Sequence, residues 1–413
     1  MSREKAKIDF NTLKSLSKNS RKHSKMNTSI NQGTTFADSK SHYAILDGLR
    51  GVAAIVVVMF HIFETFTNGD HSKQIINHGY LAVDFFFVLS GFVIGYAYDD
   101  RWGKMTLGGF FKRRLIRLHP MIIIGMIIGA LTFYFQDCSF FPAIAQTPIW
   151  KLILVMLIGF TLIPVGPSLD IRGWQEMHPL NGPAWSLFFE YIANILYALF
   201  IRKFSNKVLA IFVFIAGAAL IHLAVTSPQG DVIGGWSIDP QQLRIGFTRL
   251  LYPFFAGLLL SRIAKPGRIK NAFLWSSLLL ILMLSIPRIG GSEIWKNGLY
   301  DSLTIIFVFP LIVYMGASGN VTGKVGTKIN RFLGDISYPL YITHYPFIYL
   351  YMAWIDHHRE LLPGNGANVS WTLILVSVGV LLGAITVAYV CVRFYDIPVR
   401  KWLTKKFMPA RSK

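Results

Sequence analysis

Apolar segments long enough to cross a lipid bilayer recur along nearly the whole chain, and this recurrence constrains its fold more than any other feature. Hydrophobic residues occupy 53% of the 413 positions, and charged residues only 15%. A helix needs about 20 apolar residues to cross roughly 30 Å of hydrocarbon. Because lipid offers the backbone no hydrogen-bond partner, such segments must be helices. The sequence therefore predicts an all-α, polytopic integral membrane protein.

The lengths and positions of these segments predict ten transmembrane helices. They fall at about 44–66, 80–98, 117–136, 183–201, 208–226, 243–262, 271–287, 299–317, 336–355 and 370–392. A further apolar segment, 149–165, has an uninterrupted core of only about fourteen residues before Pro164, which is too short to cross the hydrocarbon. We expect this segment to be re-entrant or half-inserted.

The Lys and Arg residues indicate how the helices are oriented. The formal net charge is +20, and most basic residues lie in short connections between apolar segments. Such a distribution argues against a nucleic-acid-binding surface, which collects its charge on one face. With the N-terminus inside, the positive-inside rule is obeyed and both termini are expected to be cytoplasmic. The connections that then fall inside are 101–117, 202–207, 262–270, 324–331 and the end from Arg393.

Composition divides the chain into three regions. Residues 1–40 are rich in Ser, Asn and Lys and predict a flexible, basic cytoplasmic tail. Residues 41–400 form the predicted transmembrane domain, and residues 401–413 a second basic cytoplasmic tail. The two cysteines form no spaced framework, and no helically spaced histidine pair has an acidic neighbour. We therefore expect neither a disulfide scaffold nor a metal site.

The first predicted helix carries the polar groups that most strongly indicate a functional site. Arg50 and His61 have ten residues between them in an otherwise apolar segment. Eleven helical steps of about 100° place both on one face, about 16 Å apart along the axis. Asp47, one turn before Arg50, joins that face. Ionisable groups inside a membrane face a polar interior rather than lipid. This face is therefore expected to point at a site.

Five motifs occur in an order that resembles the membrane-bound acyltransferase 3 family. They read LDGLRGVAAIVVVMFH, GYLAVDFFFVLSGFVIG, FFKRRLIRLHP, PAWSLFFEY and ISYPLYITHYP. The resemblance covers about residues 44–400, and the five motifs together are far more specific than any one of them. It implies about ten helices in the bacterial inner (cell) membrane. It also implies transfer of an acyl group, often acetyl, from acyl-CoA as co-substrate to a sugar-containing acceptor, with no tightly bound cofactor.

The family's hallmark is the spacing of the arginine and the histidine in the first motif, which Arg50 and His61 match. A sugar hydroxyl is a poor nucleophile, so a base must take its proton, and the ordinary pKa of histidine suits His61 to this role. His61 can instead carry the acyl group as an acyl-imidazole, or simply pack as a polar residue. Arg50 is expected to bind a CoA phosphate; the alternative is an interfacial arginine paired with Asp47.

A second basic group precedes the third predicted span. Arg113, Arg114 and Arg117 lie close together, with Arg114 and Arg117 about one helical turn apart. Such a cluster attracts a multiply phosphorylated CoA headgroup, although basic residues before a span also serve orientation alone. The resemblance links an arginine of this motif to the donor, and either Arg114 or Arg117 matches it.

Two carboxylates within predicted spans complete the expected polar set. Asp84 lies near the outer start of the second span and is expected to meet His61 and orient its imidazole; the alternative is an interfacial residue. Glu190 forms a polar stripe with Ser186 and Asn194 at helical spacing. We expect Glu190 to be catalytic with His61 and Arg50 by helping to position the acceptor, while a structural hydrogen bond remains the alternative.

Besides Asp84, three further residues are candidates for substrate contact. Trp185 can stack on a sugar ring or anchor the helix at the membrane interface. Ser186, the next residue, belongs to the polar stripe of Glu190. His344 shares a helical face with Ser337 and Tyr341. It is either a second titrating or CoA-contacting group, or a hydrogen-bonding residue between helices.

These observations predict an integral membrane O-acyltransferase that uses acyl-CoA. By analogy with the family, the acceptor is a glycan or a lipid-linked saccharide, such as lipopolysaccharide O-antigen or exopolysaccharide. Membrane lipids are the other expected partner. Two alternatives stay open: a secondary transporter or acyl-group exporter whose charged residues line a translocation path, and a non-catalytic sensor or assembly partner. No matching halves with broken helices, the sequence sign of a transporter, are visible.

Overall fold

The computed structural model describes residues 43–70, 73–362 and 370–408, and the described part of the chain contains helices and no strands. The predicted tail at 1–40 lies outside these residues. The described residues up to Lys401 form one compact unit. Fourteen α-helices follow one another along the described chain. They are α1 Ala44–Phe66, α2 Ala82–Tyr98, α3 Leu107–Thr132, α4 Ile149–Phe160, α5 Ala184–Leu199, α6 Asn206–Val225, α7 Pro240–Ile263, α8 Ala272–Ser285, α9 Trp295–Leu303, α10 Phe309–Ala317, α11 Lys324–Thr343, α12 Tyr345–His357, α13 Trp371–Cys391 and α14 Ile397–Phe407.

Several helices join into longer rods. A π-helical turn, Thr304–Val308, connects α9 to α10, and another, Val392–Asp396, connects α13 to α14. Counting such joins, seven helical segments among the described residues are long and apolar enough to cross a membrane. The predicted all-α membrane fold is thereby confirmed. The predicted crossings at 183–201 and 271–287 correspond to the shorter apolar helices α5 and α8. The predicted crossing at 336–355 corresponds to the end of α11 and most of α12.

The apolar segment 149–165, predicted to be too short to cross the hydrocarbon, contains a short helix. Helix α4 has 12 residues. Its length of about 18 Å is well below the roughly 30 Å of hydrocarbon. Several of its large apolar side chains, including Trp150 and Leu157, are exposed on the protein surface. The shortness predicted for this segment is therefore observed, and its insertion into the bilayer remains a prediction.

Three of the basic segments predicted as connections are helical instead. The segment 101–117 is mostly the beginning of α3, which starts after the N-cap residue Thr106. The segment 324–331 forms the first two turns of α11, and the chain after Arg393 continues as helix to Phe407. Lys and Arg are good helix formers, so a helix continues past the point where its hydropathy falls. Part of the predicted tail 401–413 is therefore helical.

The predicted span 336–355 is broken at His344. Pro346 follows the break, and its ring nitrogen cannot donate a hydrogen bond to the carbonyl of Ile342 four residues before it. The side-chain amide of Asn181 donates to that carbonyl instead, at 2.7 Å. The break thus frees the Ile342 carbonyl for a hydrogen bond with the connection before α5.

Helices α2 and α7 pack with their backbones in contact. A Cβ atom on Gly91 would lie 1.8 Å from the Phe254 carbonyl oxygen, and one on Gly257 would lie 1.9 Å from the Val88 carbonyl oxygen. Glycine is therefore required at both positions, as close helix packing in membranes commonly demands. This contact supports the walls of the two cavities described next.

Candidate active site

A cavity of about 430 Å³ lies at the Arg50 end of α1, and we call it the arginine cavity. Arg50 and Asp47 line it from α1, and their side chains form an ion pair with 2.8 Å between Nη1 and Oδ1. The other lining arginines come from α3, α11 and α14: Arg114, Arg117, Arg331 and Arg400. Arginine offers two parallel donors to a phosphate, so this cavity is chemically suited to a phosphorylated ligand.

Not all of these arginines are neutralised by a carboxylate. Arg114 pairs with Glu190 and Arg400 with Asp396. In the part of the chain that the structure describes, Arg117 and Arg331 have no carboxylate within ion-pair distance. Arg113, which the sequence grouped with Arg114 and Arg117, is not among the residues that line the cavity. Arg114 and Arg117 can therefore contact a ligand in this cavity, whereas Arg113 does not line it.

Glu190 connects three helices on the wall of the arginine cavity. Its Oε1 atom accepts one hydrogen bond from Arg114 Nη2 and another from Ser90 Oγ, each 2.7 Å long. The backbone carbonyl of Glu190 accepts a third from Asn194 of the same helix. The carboxylate therefore lies with the arginines, in the cavity at the opposite end of α1 from His61. The role expected for Glu190 in positioning the acceptor remains a prediction.

A second cavity, of about 540 Å³, lies at the other end of α1, and we call it the histidine cavity. His61 lines it, with a side chain that is 18% exposed. Its Nδ1 atom is 2.8 Å from Oε2 of Glu64, one turn further along the helix. A carboxylate at this position holds the proton on Nδ1, which leaves Nε2 as the basic nitrogen. His61 and Glu64 thus have the geometry of a general-base pair.

The carboxylate beside His61 is not the one expected from the sequence. Asp84 is fully buried and binds Arg249 of α7, with 2.6 Å between Oδ2 and Nη2 and 3.2 Å between Oδ1 and Nε. Asp84 lines neither cavity. The prediction that Asp84 orients His61 is wrong, because a buried carboxylate requires a strong partner and the guanidinium of Arg249 is within reach.

His344 packs against His61 but lines neither cavity. The two rings are stacked with 5.6 Å between their centroids. His344 Nδ1 lies 2.9 Å from the Tyr341 carbonyl and 3.1 Å from the Leu340 carbonyl, so this nitrogen carries the proton and donates. The ring is fully buried, and its Nε2 atom has no hydrogen-bond partner among the described residues. His344 therefore supports the position of the His61 ring.

Tyr341 and Val83 line both cavities. The hydroxyl groups of Tyr341 and Ser186 are 2.7 Å apart. Ser186 is buried and lines the arginine cavity, whereas its neighbour Trp185 lines the histidine cavity. The start of α5 thus forms part of the partition between the two cavities.

The Trp185 side chain is packed among other residues and offers little ring surface to a ligand. Its side chain is 7% exposed, the Arg249 guanidinium lies 5.3 Å from its ring, and Gly235 packs against its benzene edge. Neither of the two roles expected for Trp185 fits this position well, because one face is occupied and little surface is exposed. The indole instead helps to shape the wall of the histidine cavity.

A buried carboxyl group from the connection before α5 also lines the histidine cavity. Both oxygens of Glu176 accept from the hydroxyl group of Tyr349, at 2.8 and 2.9 Å. Burial raises the pKa of the Glu176 carboxyl to about 7. Sequence analysis missed Glu64, Glu176 and Arg249. Helical spacing from His61 would have indicated Glu64, whereas Glu176 and Arg249 have no local signal because their partners are distant in sequence.

Comparison with known proteins identifies relatives over most of the chain. The family described as an acyltransferase domain matches residues 43–393. Protein 2 in the picA locus of Rhizobium radiobacter is 32% identical over 193 residues, covering 44% of this chain and 94% of that protein. O-acetyltransferase OatA of Staphylococcus aureus is 25% identical over 376 residues, covering 88% of this chain and 58% of OatA. This chain thus matches little more than half the length of OatA. No solved structure matches the chain.

Proposed function

This chain belongs to that acyltransferase family, and we propose that it is a membrane O-acetyltransferase that moves an acetyl group from acetyl-CoA to a carbohydrate hydroxyl. Its similarity to a protein named as an O-acetyltransferase supports the acetyl group and the oxygen acceptor. The observation that carries the proposal is the His61–Glu64 pair, which lines one cavity while an arginine-lined cavity lies at the other end of the same helix.

The arginine cavity suits the donor because CoA carries several phosphate charges. Arg117 and Arg331, which have no carboxylate partner among the described residues, supply positive charge for these phosphates. Arg50, close to Asp47, lines the same cavity and adds a guanidinium donor. We propose that Glu190 positions Arg114 toward this cavity rather than contacting the acceptor. We propose from the positive-inside rule that this end of the protein faces the cytoplasm. We take the membrane to be the bacterial inner (cell) membrane because the relatives named above are bacterial.

The reaction requires two proton transfers, one to His61 and one from it. His61 Nε2 takes the proton from the acceptor hydroxyl as its oxygen attacks the thioester carbonyl carbon. Glu64 stabilises the imidazolium ion that forms. The carbon–sulfur bond then breaks, and the departing thiolate of CoA takes the proton from His61. The products are an acetyl ester and CoA, so the numbers of atoms and protons balance.

The same geometry allows His61 to act as a covalent carrier. Nε2 would then attack the thioester carbonyl, CoA would leave as the thiolate, and the acceptor hydroxyl would attack the acetyl-imidazole in a second step. The unprotonated Nε2 that the Glu64 hydrogen bond provides serves both routes. Label that stays on the protein without an acceptor would support the carrier route instead.

The test uses purified protein in lipid vesicles with acetyl-CoA labelled in the acetyl group. We expect His61→Ala to abolish CoA release while acetyl-CoA still binds, and Arg117→Ala to weaken acetyl-CoA binding about tenfold, equivalent to about 1.4 kcal/mol. Exposed residues of the same types provide matched controls: His222→Ala and Arg268→Ala should behave as wild type. Wild-type protein that binds no acetyl-CoA would contradict the proposal and favour a transporter.

A further inference from the structure

The one guanidinium that lines the histidine cavity among the described residues is already paired with other groups of the protein. Among the described residues lining this cavity, Arg249 is the one Lys or Arg. It is buried and donates to Asp84 and to the carbonyls of Tyr80 and Gly234. Two carboxyl groups, those of Glu64 and Glu176, line the same cavity. Arg172 Nε lies 3.7 Å from Glu176 Oε2 but does not line the cavity. A negatively charged ligand would therefore meet two carboxyl groups and no uncommitted Lys or Arg side chain in the lining, which disfavours its binding.

One side of this cavity is formed by the connection between α4 and α5, residues 161–183, which we call the strap. Arg172 holds the strap rigidly, since this arginine is fully buried and its Cζ atom lies 3.6 Å from the centroid of the Tyr349 ring. Its Nη2 atom donates to Gln136 Oε1 at 2.8 Å, and its Nε atom donates to the Pro179 carbonyl at 2.9 Å. A connection fixed in this way is suited to recognition rather than to movement.

The strap presents Trp174 and Glu176 to the histidine cavity. Trp174 is 38% exposed and contacts Phe141 with 4.8 Å between ring centroids at an angle of 58°. Because this neighbour meets the indole at an angle and the side chain keeps substantial exposed area, Trp174 can offer ring surface to a ligand. Trp236 lines the same cavity and is fixed to the strap by a 2.7 Å hydrogen bond from the Met177 backbone N–H to its carbonyl oxygen.

We propose that the strap forms the acceptor subsite, in which an uncharged sugar ring stacks on Trp174 and donates a hydroxyl hydrogen bond to Glu176. The apolar C–H face of a pyranose matches an indole surface, and its hydroxyl groups match a carboxylate acceptor. Trp185, which the sequence indicated for stacking, is 7% exposed and lies beside Arg249. This subsite rests on the proposed function and extends it by specifying an uncharged sugar.

The experiment measures how sugars change CoA release from acetyl-CoA by the full chain in lipid vesicles. The probes are methyl glycosides of glucose, galactose and N-acetylglucosamine, compared with the methyl glycosides of glucuronic and galacturonic acid. We expect at least one uncharged glycoside to stimulate CoA release and the two uronides to leave it unchanged. Equal or greater stimulation by the uronides would overturn the proposal.

Substitutions then assign the effect to the strap. Trp174→Ala should raise the KM for the stimulating glycoside about tenfold while acceptor-independent CoA release stays at the wild-type rate. Trp174→Tyr keeps an aromatic face and should restore most of the affinity. Trp150→Ala removes an exposed tryptophan of α4 outside the cavity and is the matched control.

The outcomes separate the subsite from the proposed function. If Trp174→Ala keeps the wild-type KM, or if no uncharged glycoside stimulates a wild-type protein that still releases CoA, the acceptor subsite is contradicted and the donor chemistry stands. If the wild-type protein neither binds nor cleaves acetyl-CoA, the proposed function itself fails.

Discussion

At the scale of single residues, the pairing of charged groups determines what each can do. His61 has Glu64 as its partner, one helical turn away, and Asp84 has Arg249 on another helix. A carboxylate within the same helix is a local feature and was available from spacing alone. A partner on another helix depends on how the helices pack. His61 thus lines a cavity, with Glu64 rather than Asp84 as its carboxylate partner, and its catalytic role remains a prediction.

Replacing Glu64 tests the general-base pair. Glu64→Gln keeps an oxygen that can accept from Nδ1 but removes the negative charge that stabilises the imidazolium ion. We expect kcat for acetyl transfer to fall by about tenfold to a hundredfold, with an unchanged KM for acetyl-CoA. Initial rates at saturating donor measure the change. Glu293→Gln, at an exposed carboxylate, is the control, and equal rates for both variants would contradict the pair.

The buried carboxyl group of Glu176 predicts a particular dependence of stability on pH. Burial raises its pKa from 4.5 to about 7 in the folded protein. Between these two values the folded state binds more protons than the unfolded state, so this group makes stability fall as the pH rises. Glu176→Gln should therefore flatten the decline between pH 4.5 and 7. Thermal unfolding in detergent across this range measures it, and identical slopes would contradict the assignment.

At the scale of elements, the contact between α2 and α7 has two features: the backbones approach closely, and a buried ion pair connects the helices. Gly91 and Gly257 bring the two backbones together, and Asp84 and Arg249 form their ion pair between the same two helices. Close approach is what allows these side chains to reach each other. The small residues are visible in the sequence, but which helix they face is not.

Gly91→Ala tests this contact. The new Cβ atom would lie 1.8 Å from a backbone oxygen of α7, so the helices must separate. We expect a loss of stability of about 1–3 kcal/mol, typical of overpacking. Gly383→Ala is the matched control, because a Cβ atom there has open space and alanine favours helix. Equal melting temperatures for the two variants would show that α2 and α7 do not pack as described.

At the scale of the whole molecule, the two cavities lie at opposite ends of α1, a helix long enough to cross the membrane. Donor and acceptor would then approach from opposite sides and meet at the partition formed by Tyr341 and Val83. Under the proposed function, such an arrangement would separate a CoA thioester from a glycan on the other face of the membrane, and it predicts which face gives access to each cavity.

Single cysteines can locate the cavities relative to the membrane. In a variant with Cys138→Ser and Cys391→Ser, we expect Thr327→Cys at the arginine cavity to react with a membrane-impermeant maleimide from the cytoplasmic face only. Asn68→Cys at the histidine cavity should react from the opposite face only. Both positions line their cavities and are exposed. Labelling of sealed vesicles of each orientation measures this, and reaction from one shared face would contradict the arrangement.

The sequence alone determined that the chain is an all-helical membrane protein and that Arg50 and His61 share one face of the first helix. Hydropathy and helical spacing suffice for both, because each is a property of one continuous segment. Only the tertiary structure showed that Arg249 pairs with Asp84 and that Glu190 binds Arg114. It also showed that Trp174 of the strap lines the histidine cavity. Lipid is as apolar as the helix surfaces, so hydropathy does not specify which helices meet. Close packing and polar contacts between residues distant in sequence specify it instead.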